Sequence, residues 1–219
     1  MTYTLIIINI SIFLITLLYS SSGFDIDLET LIYFGASNGI LVVIYKEIWR
    51  LFSAMFLHGS LIHIAMNMLS LWFVGRVVEH WFSKLSYLAI YFASGVIGGL
   101  ISIYFHPNTV AIGASGAIFG IFGAMGGFVF INRYHLKSFK AFLRQFGIIL
   151  LLNLFIGFIF DSVDLSAHIG GLIVGFVGGY SVWRSYKILY LYIGLAILSS
   201  LLIYIYLEDI FTKNILIIN

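Results

Sequence analysis

The chain has 219 residues, of which 62% are hydrophobic and only 9% are charged, and its formal net charge is +2. This apolar content lies far outside the range of soluble domains and predicts an integral membrane protein. The small net charge gives no reason to expect a nucleic-acid partner, and the lack of cysteine excludes disulfides, thiolate metal sites and a cysteine nucleophile.

Apolar runs long enough to cross about 30 Å of hydrocarbon as helices recur along the chain. The first run could be a signal peptide, but no basic segment precedes it and no A-x-A site follows it, so we expect it to remain in the mature protein. The runs predict an all-α polytopic membrane protein with seven spans, at about 3–20, 60–78, 86–104, 114–132, 143–160, 167–183 and 188–206.

Charged residues predict the orientation of the chain. With residue 1 in the cytoplasm, the outer side holds only Lys46, Arg50 and Lys213, and the acidic residues fall outside except for Glu79. The positive-inside rule favours this arrangement. We expect a plasma (inner) membrane protein with a cytoplasmic N-terminus and an extracytoplasmic C-terminus. The basic residues on the inner side are then Arg76, Lys84, Arg133, Lys137, Lys140, Arg144, Arg184 and Lys187.

The stretch 21–57, between the first two predicted spans, is rich in aromatic and apolar side chains. Its segments LIYFGA, ILVVIY and IWRLFSAMF are typical of short amphipathic pieces that lie in the membrane interface. No Pro- or Gly/Ser-rich linker and no fixed-period repeat divides the chain. We therefore expect a single integral membrane domain over 1–219, with 21–57 as an extracytoplasmic interfacial loop.

Polar side chains inside the spans are few, and each is a functional hypothesis because burying it in lipid is costly. The second span carries His63 and Asn67 on one helix face, with His58 just beyond its outer end; the fourth begins near Ser115, and the sixth carries His168. These spans run in the same direction. At about 1.5 Å per residue, the serine lies about 27 Å and the two span histidines about 24 Å above the inner boundary. A polar layer slightly below the outer surface is predicted.

Glycine spacing predicts a close approach of the fourth and sixth spans. Gly116 and Gly120 in the fourth span, and Gly171, Gly175 and Gly179 in the sixth, form small-xxx-small ridges. Ridges of this kind let helix backbones touch, so polar side chains on the two spans can meet.

The polar layer contains the groups that acyl transfer requires. A serine hydroxyl becomes nucleophilic when an imidazole accepts its proton, which makes Ser115 the candidate nucleophile and His168 the candidate base. The His63 ring N–H, the Asn67 amide and the backbone N–H of Ser115 are candidate oxyanion donors. Structural roles stay open, because such side chains also bond to their own backbone or join helices. The GASG stretch is not a G-x-S-x-G elbow, since residue 117 is alanine.

In these motifs the sequence resembles the rhomboid intramembrane serine proteases, over about residues 45–180. The motifs are Trp49-Arg50, H-x4-H-x3-N over 58–67, GASG at 113–116 and A-H-x-x-G at 167–171. The resemblance implies a six-helix core over 1–185, followed at 186–219 by an additional span and a short extracytoplasmic tail. It further implies a Ser115–His168 dyad that cleaves transmembrane protein substrates through an acyl-enzyme, with His63 and Asn67 in the oxyanion site.

The resemblance also implies supporting residues. The Trp-Arg pair matches a structural loop motif, with an interfacial anchor as the alternative. Phe119, one turn below the serine, stands where many family members carry a tyrosine that stacks on the histidine, so the stacking is kept and the hydroxyl is lost. Asp164 is expected to cap the outer end of its helix rather than to complete a triad. The supporting positions are His58, Trp49, Arg50, Gly113, Gly116, Phe119 and Gly171.

Neither a metal nor a cofactor is expected, because the histidines lack an H-E-x-x-H arrangement and an intramembrane carboxylate. The resemblance implies that substrates enter sideways from the lipid, past the fifth span and the loop 161–166. The alternative function is a catalytically inactive rhomboid-like protein that binds transmembrane helices. A small channel or transporter is a third possibility.

Overall fold

The structure of the chain is a computed structural model that describes residues 1–23, 25–134, 139–140, 144, 146–148, 150 and 164–218. Within these residues the chain is helical and contains no β-strands. Two segments, Ile40–Ile44 and Leu71–Gly75, are π-helical, and Ala54–Phe56 is a 3₁₀ turn. The α-helices are α1 (Thr2–Tyr19), α2 (Leu28–Tyr33), α3 (Arg50–Ser53), α4 (Leu61–Ser70), α5 (Arg76–Trp81), α6 (Lys84–Phe105), α7 (Ser115–Ile131), α8 (Leu165–Ser181) and α9 (Tyr186–Ile218).

Four helical stretches are long and apolar enough to cross a membrane: Thr2–Tyr19, Leu61–Trp81, Lys84–Phe105 and Tyr186–Lys213. They confirm the first, second, third and seventh predicted spans, and the chain is an all-α, multi-pass membrane protein. The helices α7 and α8 are apolar and begin and end within two residues of the fourth and sixth predicted spans. Most of the predicted fifth span, 143–160, lies outside the described residues, as do residues 161–163.

The long connection between α1 and α4 is built from short helical pieces. Ser37 and Ala111 pair through two backbone hydrogen bonds of 3.0 and 2.8 Å, which join this connection to the loop before α7. Its exposed aromatic side chains include Tyr33, Tyr45 and Trp49. Such rings suit the boundary between lipid and water, because they are apolar with a polar edge.

Short polar side chains cap two of the helices that carry candidate site residues. Ser60 accepts a hydrogen bond of 3.2 Å from a backbone N–H of α4. Asp164 accepts two from backbone N–H groups of α8, at 3.0 and 3.1 Å. Helix N-termini leave donors unpaired, and serine and aspartate are the side chains that satisfy them best. The expectation that Asp164 caps its helix is therefore confirmed.

The helices α7 and α8 touch backbone to backbone along a seam of glycines. A methyl carbon built on Gly171 would lie 2.0 Å from the carbonyl oxygen of Gly116, and one on Gly175 would lie 1.8 Å from that of Gly120. The same approach repeats one turn further, at Gly179. These distances leave no room for any side chain, so the seam fixes how α7 and α8 are placed against each other.

The helix α9 packs against α6 and the long connection. The Tyr192 hydroxyl donates to the carbonyl oxygen of Val174 in α8 at 3.3 Å, and Lys46 of the long connection forms an ion pair with Glu208. The helix continues to Ile218, about twelve residues beyond the predicted end of this span near 206, so the expected short tail is helical as far as it is described.

Candidate active site

Ser115 is the first residue of α7 and follows a loop with a constrained backbone. That loop turns at Gly113, whose φ of +113° is reached easily only by glycine, and the Gly113 N–H donates to the carbonyl oxygen of Ala54 at 2.9 Å. Among the described residues no side chain caps α7, unlike α4 and α8. The backbone N–H groups of the first turn, including that of Ser115, are therefore available to a ligand.

His63 and Asn67 lie beside the loop that leads into α7. A methyl carbon built on Gly113 would be 2.8 Å from Nε2 of His63 and 3.7 Å from Nδ2 of Asn67. The two side chains come from successive turns of α4 and share one face. The structure thus brings an imidazole and a carboxamide together next to the residues that precede Ser115.

His168 lies in the first turn of α8 and is almost completely buried, with 4% of its surface exposed. Its ring stacks on the ring of Phe119, with centroids 4.2 Å apart and planes 12° from parallel. Helical side chains lean toward the N-terminus of their helix, so the Phe119 ring lies along the turn that begins at Ser115. The imidazole is therefore held against the first turn of α7.

The hydrogen bond expected between Ser115 and His168 is not formed in this structure. Both ring nitrogens of His168 are buried and have no hydrogen-bond partner within the described part of the chain. The carboxylate of Asp164 is occupied by the first turn of α8 and does not bond to the ring either. Without substrate, hydrogen bonds between catalytic groups are often long and tighten only when substrate binds.

Asp164 has a second neighbour beyond its own helix. Nε2 of His106, at the end of α6, lies 4.0 Å from a carboxylate oxygen of Asp164. Burial raises the pKa of Asp164, but hydrogen bonds from Ser102, Ser166 and the Ala167 N–H, together with the charge of His106, outweigh burial and lower it. The Asp164 carboxylate, which caps α8 just before His168, is therefore kept in its charged form.

Trp49 and Arg50 shape the long connection. Nη1 of the buried Arg50 donates to the carbonyl oxygens of Ile32 at 2.7 Å and Ala36 at 3.1 Å, and its Nε pairs with Glu47. The guanidinium also lies 4.7 Å from the centre of the half-exposed Trp49 ring. A buried arginine that bonds two carbonyl groups has a structural role, and here it holds the connection together.

His58 is fully buried and packs edge-on against His63, with ring centroids 5.0 Å apart and planes 68° from parallel. Burial, and to a lesser extent the His63 ring, lowers the pKa of His58 to about 3. The ring is therefore neutral at physiological pH, and its contact supports the position of His63.

Two residues of the site act through their carbonyl groups and were not identified from the sequence. Ala54 accepts the hydrogen bond from Gly113. The Ala167 carbonyl oxygen would lie 2.8 Å from a methyl carbon on Gly98 of α6 and 3.5 Å from one on Gly116 of α7. Every residue has a backbone carbonyl group, so the residue type does not show which carbonyl makes a contact. The only indication in the sequence was the glycines that face these two carbonyl groups.

Within the described residues, no group of three His, Asp or Glu side chains comes together. The Ser115 hydroxyl and the His63, Asn67 and His168 side chains are groups of the kinds that acyl transfer uses.

Comparison with known proteins identifies relatives across most of the chain. The family model of the Rhomboid domain matches residues 45–185. Rhomboid protease GluP of Bacillus subtilis (strain 168) is 40% identical over 179 residues, which are 80% of this chain and 34% of that protein. RHOMBOID-like protein 6, mitochondrial, of Arabidopsis thaliana is 39% identical over 152 residues, 69% of this chain and 49% of that protein.

A further relative has a name that points to lost activity. Inactive RHOMBOID-like protein 8 of Arabidopsis thaliana is 35% identical over 145 residues, 66% of this chain and 41% of that protein. The chain therefore spans between a third and a half of the length of these relatives. Since a protease and an inactive protein both match, activity has to be argued from the residues of the site.

Proposed function

The chain belongs to the rhomboid family, and we propose that it is an intramembrane serine endopeptidase. In this proposal it hydrolyses peptide bonds in or near the transmembrane segments of membrane-protein substrates. The observation that carries the proposal is the stacking of His168 on Phe119, one turn below Ser115. This stacking holds the candidate base His168 against the first turn of α7, which begins with Ser115. The backbone N–H groups of that turn are not occupied by a side-chain cap.

In the first step Ser115 Oγ attacks the carbonyl carbon of the scissile peptide bond. A ring nitrogen of His168 accepts the hydroxyl proton, which turns a weak nucleophile into an effective one. The ring nitrogens of His168 have no competing partner among the described residues, so they are available to accept this proton. The base keeps its orientation through the Phe119 ring.

The tetrahedral intermediate carries a negative charge on the former carbonyl oxygen. The proposed donors are the backbone N–H of Ser115, at the uncapped start of α7, and the His63 ring and Asn67 amide, which lie beside Gly113. Fixed donors in a site that excludes most water stabilise such a charge strongly, and removing one of them typically costs about 10²–10³ in rate.

Collapse of the intermediate breaks the C–N bond, and the protonated imidazole gives its proton to the leaving amine. An acyl-enzyme on Ser115 remains. Water then attacks the ester while His168 accepts one of its protons, and release of the carboxylic acid restores the hydroxyl. The scheme needs neither metal nor cofactor.

The proposed arrangement in the membrane follows from the charges. Residues 1–219 form one integral membrane domain, with 1–185 as a six-helix core and 186–219 as the additional span. The N-terminus is cytoplasmic, and the site end of α4, α7 and α8, with the interfacial loop 21–57, faces the extracytoplasmic side of the plasma membrane. Substrates enter from the lipid, and helix-weakening residues near the cut expose the bond to attack.

Cleavage of a reporter transmembrane substrate by the purified chain in liposomes tests the proposal. Wild type is expected to cleave, and Ser115→Ala and His168→Ala are expected to lose activity by at least about 10³-fold. Ser181→Ala is the matched control, because Ser181 bonds to the carbonyl of Val177 at the opposite end of α8. A fluorophosphonate probe should label wild type and Ser181→Ala only.

The same experiment separates the alternatives. Cleavage that persists in Ser115→Ala removes this serine from its role. If wild type cleaves none of several reporters and takes up no probe, the protein is a catalytically inactive, helix-binding member of the family; one relative also carries the word inactive in its name.

A further inference from the structure

A cleft lies at the end of the bundle opposite the serine. It has a volume of about 260 Å³ and is lined by Trp72, Phe73, Arg76, Val77 and His80. Trp72, Arg76 and His80 follow each other at intervals of four residues, so they form one stripe along the helix Leu61–Trp81. At about 1.5 Å per residue, Arg76 is about 20 Å along this helix from His63, which places the cleft near the far boundary of the membrane.

Arg76 has no partner for its charge within the described residues. The guanidinium carbon lies 5.1 Å from the Trp72 ring and 5.9 Å from the Tyr3 ring of α1, and no hydrogen bond or ion pair engages its N–H groups. The carboxylate one turn on, Glu79, accepts instead from the amino group of Met1 and the Thr2 N–H. The Arg76 guanidinium, which lies between two aromatic rings, thus has all its N–H donors free.

The surroundings of this cation are apolar and exposed. The side chains of Phe73 and Val77, with 60% and 43% of their surfaces exposed, flank it on a face that no other described part of the chain covers. A charged side chain of a membrane helix is costly unless it is paired or reaches the interface. The ligand with matching chemistry carries an anionic phosphate at the interface and hydrocarbon beside it.

We propose that this cleft binds one anionic phospholipid, with the phosphate on the Arg76 guanidinium and an acyl chain along Phe73 and Val77. Arginine donates two parallel hydrogen bonds to phosphate, and Trp72 and Tyr3 hold its plane. The cleft is smaller than the about 300–1,000 Å³ of pockets that enclose a whole ligand, so it accommodates a headgroup while the acyl chains remain in the bilayer.

His80 borders the headgroup position. Its Nδ1 lies 2.6 Å from the Arg76 carbonyl oxygen, and because a carbonyl only accepts, Nδ1 is the donor. This bond holds the imidazole along the helix at the edge of the cleft.

Native mass spectrometry of the full chain in nonionic detergent tests the proposal. Phosphatidylglycerol and phosphatidylcholine with identical acyl chains are titrated separately, and wild type is expected to bind the first more tightly. Arg76→Gln should weaken phosphatidylglycerol binding by roughly tenfold or more while leaving phosphatidylcholine unchanged. Arg184→Gln is the matched control, because Arg184 also lies over a tryptophan ring, at 5.8 Å from Trp183, but outside the cleft; it should change binding less than twofold.

Two further arms keep the test decisive. If Arg76→Gln does not fold, Trp72→Leu removes the ring under the cation and should weaken phosphatidylglycerol binding in the same selective way. Millimolar inorganic phosphate should not displace the lipid, because it lacks the acyl chains. Equal losses in Arg76→Gln and Arg184→Gln, equal affinity of wild type for both lipids, or displacement by inorganic phosphate would each overturn the lipid site. None of these readouts depends on proteolysis.

Discussion

The ring of Phe119 stacks on the imidazole of His168, with centroids 4.2 Å apart and planes 12° from parallel. Because the nitrogens of His168 have no hydrogen-bond partner among the described residues, this ring contact is what orients the imidazole. In many rhomboids a tyrosine is expected at this position. The contact shows that a phenyl ring suffices for stacking, so orientation of the proposed base, His168, does not require a phenol.

Replacing Phe119 should therefore separate the effect of ring stacking on His168 from the effect of a phenol hydroxyl. We expect Phe119→Ala to lower kcat by about threefold to tenfold with little change in KM, since a stacked pair contributes about 0.5–1.5 kcal/mol beyond burial. Phe119→Tyr should keep the wild-type kcat. Steady-state cleavage of the reporter measures both constants. Phe13→Ala is the control for a lost buried ring, because Phe13 is also only 2% exposed but lies in α1 rather than in α7; equal kcat losses in the two alanine variants would contradict the prediction.

The glycine seam should tolerate no side chain. A methyl group at Gly175 would lie 1.8 Å from the Gly120 carbonyl oxygen, so Gly175→Ala has to push α8 away from α7. We expect it to destabilise the protein by about 1–3 kcal/mol and to lower kcat, because the proposed dyad spans this seam. Thermal unfolding in detergent and reporter cleavage measure the two effects. Gly194→Ala in α9, where no described atom lies within 4 Å of the added carbon, should leave both unchanged or raise stability slightly; a harmless Gly175→Ala would refute the close seam.

Features with a regular period were predictable from the sequence. The apolar runs gave the spans because a helix in lipid must pair all its backbone groups internally, which ties its length to the bilayer. The ridge from Gly171 to Gly179 predicted the seam, because small residues every four positions lie on one helix face. The cap at Asp164 followed from a short polar side chain directly before an apolar run.

Features without a period were not predictable. The long connection depends on the carbonyl groups that Arg50 reaches and on Lys46, a non-glycine residue at φ +63°. No pattern in the residues of 21–57 specifies such contacts. The far extent of α9 was missed because its last turns are less apolar than a span requires. The proximity of Ala54 to Gly113 is a backbone contact, which residue types do not encode.

Stability should fall on acidification because of His58. Its pKa is about 3 in the folded protein and lies below the ordinary value of about 6.5 in the unfolded chain. Between these two pH values the His58 ring is therefore protonated in the unfolded chain but not in the folded protein. The contribution of His58 to stability is constant above about pH 6.5 and declines by about 1.4 kcal/mol per pH unit as the pH falls toward 3. Thermal unfolding at pH 7.5, 6.5, 5.5 and 4.5 should show a shallower decline in His58→Phe than in wild type. The exposed His80, changed to Gln, is the control, and an unaltered slope in His58→Phe would rule the mechanism out.

Arg50 should be irreplaceable by lysine. An ammonium group cannot reach both the Ile32 and Ala36 carbonyl oxygens while it pairs with Glu47, so Arg50→Lys leaves buried acceptors without donors. We expect a loss of about 3–5 kcal/mol, seen as a lower unfolding temperature, and faster proteolysis between residues 28 and 60. Trp49→Leu removes only a ring contact and should cost about 1 kcal/mol or less. If Arg50→Lys matches wild type in both assays, the connection is held by other contacts.

A methyl group at Gly113 should disturb the site more than the fold. The backbone there has φ +113°, and the added carbon would lie 2.8 Å from Nε2 of His63, so Gly113→Ala both strains the loop and displaces an oxyanion donor. We expect kcat to fall by at least about tenfold and fluorophosphonate labelling of Ser115 to slow in parallel. Gly23→Ala is the matched control, because Gly23 also has a positive φ, of +74°, but no atom of the described part of the chain lies within 4 Å of its added carbon. Backbone strain alone should then lower the unfolding temperature of both variants, while only Gly113→Ala loses turnover. If the two variants lose turnover equally, the loop before α7 does not position the donors around Ser115.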